Sequence, residues 1–136
     1  MSFSGKQIGM ERSELSAISA DTFGPKRGPI CLIFAEDDTD VTATVQHHAG
    51  LGFDHIVLFH AGELDASLTQ IDPLTVVRKR VRNRAEATDI VNQLMPKLAG
   101  RWLCYLFNTE YLYYPFMTSR GVADLVAFME EERRQA

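Results

Sequence analysis

Long apolar runs are missing from this chain. The stretch 56–59 is typical of what it has, and such runs fall far short of the roughly 20 residues that span a bilayer. Residues 1–20 lack the basic start and apolar stretch of a secretory signal. Basic excess is also missing: 14 Lys and Arg stand against 18 Asp and Glu, a net charge of −4. A general nucleic-acid binder that neutralises phosphates is thereby disfavoured. Cysteine is scarce, with Cys31 and Cys104 each inside an apolar run, and they read as two buried reduced thiols with no chemistry. These absences lead to the expectation of a cytoplasmic protein that does not cross a membrane. No glycine-rich phosphate loop, nucleophile elbow or Cys/His catalytic pattern occurs. His47, His48, His55 and His60 lack the spacing of a structural zinc site, and the adjacent His47 and His48 are not expected to share a helix face.

What is present is an ordinary globular composition, 46% hydrophobic and 24% charged over 136 residues. A chain of this size buries roughly 68% of its unfolded surface and needs no metal or disulfide to hold a core. Residues 1–28 end in separated Gly/Pro pairs and read as a loosely attached N-terminal arm. A short helix over residues 10–20 is suggested there by Met10, Leu15, Ala17 and Ile18. Residues 29–136 alternate apolar strands with helical stretches. Strands are expected at 30–35, 55–60, 74–81 and 102–107, and helices from Thr39 or Asp40 to about Ala49, over 85–98 and over 121–133. Gly50 is expected to close the first helix, and Pro96 to kink the second or end it early. Such alternation predicts an α/β fold, a mostly parallel four-stranded sheet flanked by helices in a Rossmann-like arrangement. Ligands of such sheets bind outside the carboxyl ends of the strands, where the strand order reverses.

Those ends carry polar clusters. After the first strand comes Glu36-Asp37-Asp38, after the second His60-Ala61-Gly62, and after the fourth Asn108-Thr109-Glu110. Carboxylate and amide oxygens from the first and last of these can converge on one crevice and suit a hard cation such as Mg²⁺ or Mn²⁺. Helix caps and solvated turns are the plainer reading of the same acids. Residues 78–84, RKRVRNR, read as an extended edge with Arg78, Arg80, Arg82 and Arg84 on one face. Tyr105, Tyr111, Tyr113 and Tyr114 with Trp102, Phe107 and Phe116 read as core and crevice wall.

Three segments, Asp37 after a strand with His48 closing the next helix, the step Leu51-Gly52-Phe53-Asp54-His55, and Asn108-Thr109-Glu110-Tyr111-Leu112, carry a family likeness. Residues 36–65 and 100–116 resemble the nucleotide-binding half of a family 2-like glycosyltransferase of the GT-A fold, here truncated. The resemblance implies a nucleotide sugar as ligand, with Ala35, Glu36, Asp37, His60, Asp65 and Arg84 meeting the nucleotide. It also implies a divalent metal, Mg²⁺ or Mn²⁺, on Glu110 and Asn108. Asn108 stands where the family carries an acid, His60 where it usually carries Asp, and the acceptor half with its catalytic base finds no residues here. No catalytic residue is therefore assigned. The chain is expected to be either part of a longer enzyme or a non-catalytic interaction module on the same scaffold, with a homodimer covering an exposed crevice. A receiver-like reading of Ala35-Glu36-Asp37-Asp38 lacks an Asp at the end of the third strand.

Overall fold

A computed structural model of the chain describes residues 10–12, 15–98 and 100–135. Among them are five strands, β1 Met10–Arg12, β2 Ile30–Phe34, β3 His55–Phe59, β4 Leu74–Val77 and β5 Leu103–Phe107. Three α-helices, α1 Val41–Gly50, α2 Arg84–Leu94 and α3 Val122–Gln135, accompany them. The four expected strands are β2 to β5, and every pairing in the sheet is parallel. The sheet runs β1-β4-β3-β2-β5, with β1 a short addition beside β4.

The apolar runs ICLIF and HIVLF become β2 and β3 because both faces of these strands are covered, and all ten residues are buried. Strand alternation then divides the core in two. Ile30, Leu32, Phe34, Val57, Phe59 and Val77 face α2 through Ala87, Ile90, Val91 and Leu94. Cys31, Ile33, Ile56, Leu58 and Val76 face the other way, against Val41 and Val45 of α1 and Val122 at the start of α3. Each of the larger buried side chains contributes about 2 kcal/mol by leaving water. The chain steps from β2 to β3 to β4 in one direction, then reverses past β2 to β5. Right-handed crossovers require the reversing helix to lie on the opposite face, and that helix is α2. The reversal opens a crevice between the carboxyl ends of β2 and β5.

Several local expectations change. The described part of the N-terminal segment is packed: Ile18 and Phe23 are buried beside α2. The helix expected over 10–20 is replaced by β1 and by 3-10 turns at Leu15–Ala17 and Ala20–Phe23. Residues 1–9 and 13–14 of the expected arm lie outside the described residues. The third strand ends at Val77, so residues 78–83 of RKRVRNR form a loop rather than a basic strand face, and Arg84 begins α2. Asn83 ends this loop, its side chain accepting a hydrogen bond from Glu86 N at 2.9 Å, while Glu86 Oε1 accepts from Arg82 N at 2.7 Å. This reciprocal cap starts α2 at Arg84. Pro96 acts as expected: the α-helix ends at Leu94 and tightens into a 3-10 turn over Met95–Leu98. Gly50 stays inside α1, and Gly52, at φ +91°, supplies the left-handed turn into β3.

Candidate functional site at the strand-order reversal

The crevice is built on Asn108. Its backbone N–H donates to Phe34 O at 2.9 Å, extending the β2–β5 pairing by one step. Its side chain is buried, with 3% of the residue exposed. Asn108 Oδ1 accepts from Glu36 N at 3.0 Å, and Nδ2 donates to Asp37 Oδ1 at 2.7 Å and to Thr39 O at 2.8 Å. One amide thus ties the acidic loop to the end of β5. Asp37 Oδ1 also accepts from Thr39 N at 2.9 Å. The Thr39 N–H first, then the Asn108 amide, hold the Asp37 carboxyl below its ordinary value. The convergence expected for Asp37 and the Asn108–Glu110 triplet is therefore present, but Asn108 and Asp37 use it on each other.

Beside this tie lies a cleft of about 250 Å³ lined by Glu36, Asn83, Arg84, Phe107, Thr109 and Glu110. Glu110 Oε1 accepts from Phe107 N at 2.7 Å, and Oε2 lies 3.4 Å from an Arg84 guanidinium nitrogen. That guanidinium sits 5.7 Å from the Phe107 ring centroid. Arg80 donates to Glu36 O at 2.8 Å and anchors the loop from the opposite side. Thr109 adopts φ +71°, a left-handed conformation that is unfavourable for a β-branched residue. It is held there partly by its own N–H, which donates to Thr44 Oγ1 of α1 at 3.1 Å.

Two histidines of α1 fix the following loop. His48 Nδ1 donates to Thr44 O at 2.7 Å, which leaves Nε2 to accept from Leu112 N at 3.1 Å. Burial holds its pKa below the ordinary value, favouring the neutral ring this pattern requires. His47 Nε2 donates to Leu112 O at 3.0 Å. Adjacent residues thus grip both polar groups of one peptide residue, an arrangement the helix-face argument missed because both long side chains reach the same loop. His47, His48, Thr44, Thr109 and Arg80 carry no motif, and only the fold brings them together.

His60 and Asp65 line a second cleft of about 540 Å³ with Asp38, Thr42 and Glu63. His60 is buried at 4% exposure, its Nε2 3.1 Å from Asp38 Oδ1. Gly62 lies against it, where a Cβ would come within 3.2 Å of the imidazole. Asp65 caps a 3-10 turn, accepting from Ser67 N at 2.8 Å, and the Ser67 hydroxyl and N–H hold its carboxyl below the ordinary value. Ala35 is a buried core residue at the end of β2. The expected nucleotide-binding set therefore divides: Glu36 and Arg84 line the first cleft, His60 and Asp65 the second, and the loop 36–40 joins them.

A divalent cation fits this donor set only in part. Among the described residues no group of three or more His, Cys, Asp or Glu side chains could hold a metal. The Asn108 oxygen already accepts a backbone hydrogen bond, and Glu36 and Glu110 both line the cleft, the Glu110 carboxylate being held by Phe107 N and Arg84. Two carboxylates suit an ion that arrives with a diphosphate and keeps several waters. Among the described residues, no helix is long and apolar enough to cross a membrane. Compared with known proteins, the chain matches no family model, no curated protein and no solved structure.

Proposed function

We propose that the chain binds a nucleotide sugar, as a glycosyltransferase-like domain, with the diphosphate in the cleft between the carboxyl ends of β2 and β5. The observation that carries this reading is the position of Arg84, Glu36 and Glu110 around one cleft at the point where the strand order reverses. Arg84 supplies a planar donor for phosphate oxygens, and Asn83 stands at the amino end of α2, where backbone N–H groups favour an anion. A Mg²⁺ or Mn²⁺ ion carried by the diphosphate would meet Glu36 and Glu110, and the charge it supplies would offset their repulsion of phosphate. The loop 36–40 and His60 would then face the nucleoside.

Calorimetry with UDP and GDP, each with and without Mn²⁺, tests the reading. Binding that strengthens with Mn²⁺ and weakens at least tenfold in Arg84→Ala supports it. No heat with either nucleotide under either condition would sink it.

A second reading, a non-catalytic interaction module, draws on a different observation: Asn108 and Asp37 are engaged with each other rather than turned to a ligand. On that reading Glu110→Gln leaves partner binding unchanged. Self-association belongs to either reading, since Tyr105 on β5 and Phe128 on α3 are 47% and 53% exposed. Light scattering should then give the mass of two chains, and a monomer mass would remove the homodimer from the proposal.

A further inference from the structure

Cys31 of β2 and Cys104 of β5 are direct register partners in the parallel ladder. In-register residues on neighbouring strands lie about 4.8 Å apart and point to the same face. That spacing falls inside the roughly 4.4–6.8 Å between Cα atoms that a disulfide spans. Both side chains belong to the layer under α1 and α3, where Cys31 sits in the core cluster and Cys104 packs against it. Their access differs. Cys31 is fully buried in the interior strand β2, while Cys104 is half-buried in the edge strand β5, next to Tyr105 at 47% exposure.

We infer that Cys31 and Cys104 are a redox pair that closes to an intramolecular disulfide on exposure to a peroxide. Cys104 is the attacking sulfur. It is the accessible member, half-buried on the edge strand, whereas burial of Cys31 disfavours its thiolate. The Cys104 thiolate attacks one peroxide oxygen; the O–O bond breaks, and the departing hydroxide is protonated to water. The resulting sulfenic acid faces Cys31, whose sulfur attacks Cys104 Sγ. The S–S bond forms as the S–O bond breaks, and the leaving hydroxide takes the Cys31 proton as a second water. Two thiols lose two electrons in all, and one peroxide becomes two waters.

A bridge between strands that are already hydrogen-bonded neighbours is geometrically constrained, and constrained or accessible disulfides are the readily reduced ones. The pair is thus suited to reversible closure rather than to permanent stapling. Its place in the fold gives closure a consequence, because it joins the strands whose ends carry the Asn108 tie. The inference does not depend on nucleotide binding.

The test treats the full chain with a modest excess of hydrogen peroxide, then blocks remaining thiols with an alkylating agent. The expected product has lost two hydrogens, takes no alkyl group, yields a linked peptide containing Cys31 and Cys104, and regains both thiols with dithiothreitol. In Cys31→Ser, Cys104 should stop at the sulfenic acid or pair with a second chain. In Cys104→Ser, Cys31 should remain alkylatable after unfolding. Wild-type protein that accumulates oxygen on Cys104 without a linked peptide, or keeps both thiols free, overturns the inference.

Discussion

At the scale of single residues, Asn108 distinguishes a structural tie from a degenerate metal ligand. Its amide satisfies one donor and two acceptors in the acidic loop. Asn108→Ala should therefore cost about 3 kcal/mol in urea unfolding, through groups left unpaired. Asn108→Asp is the sharper variant. Were this position a lapsed metal ligand, the carboxylate would improve cation binding. On the present account it is placed against Asp37 Oδ1 and against Thr39 O, neither of which can donate to it. Its folded pKa is then raised above the unfolded value of about 4, so the variant should be least stable above that raised pKa, regain stability relative to wild type as the pH falls through it, and have recovered fully by about pH 4. Buried histidines give the wild type a different profile. Burial lowers the pKa of His55 to about 4, and burial also lowers that of His48. Both rings are neutral in the folded chain, whereas the unfolded chain takes up protons below about pH 6.5. Stability should be full above that pH and fall between about 6.5 and 4, by about 3 kcal/mol for His55 alone. Unfolding free energies at several pH values check this, and His55→Gln should flatten the curve.

Elements extend the argument to local order. The α2 start rests on the Asn83 cap, and Asn83→Ala should lower stability by about 1 kcal/mol while leaving the other helices intact by hydrogen exchange. Thr109 tests the opposite sign. Its φ of +71° favours glycine, so Thr109→Gly should raise stability by about 0.5–1 kcal/mol in thermal unfolding. A loss would mean that the Thr109 side chain holds the turn. Elements also differ in how far sequence exposes them. β2 and β3 are continuous buried runs, and no helix period competes with them. The Arg-rich stretch was misleading because alternation over RKRVRNR resembles an edge strand, while only the cap of Asn83 with Glu86 reveals where the helix begins. β1 has three residues and gains its strand geometry from pairing with β4, a contact no local pattern encodes.

For the molecule as a whole, the reversal of strand order gathers scattered polar residues around one cleft. The clusters after the strands were legible because parallel sheets place ligand-binding loops at those ends. Their partition into two clefts was not, nor was the engagement of Asn108 with Asp37, since both depend on loop paths set by Arg80, Thr44 and the His47–His48 grip. Cys31 and Cys104 read as inert thiols for the same reason: register across strands is a property of the sheet. We propose above that the first cleft takes the diphosphate of a nucleotide sugar, and amide NMR during titration with UDP and Mg²⁺ reads that cleft residue by residue. Saturable shifts concentrated at Glu36, Arg84, Asn108, Thr109 and Glu110, lost in Arg84→Ala, are the predicted result. An unchanged spectrum at high nucleotide concentration, or shifts confined to residues away from the ends of β2 and β5, would contradict it.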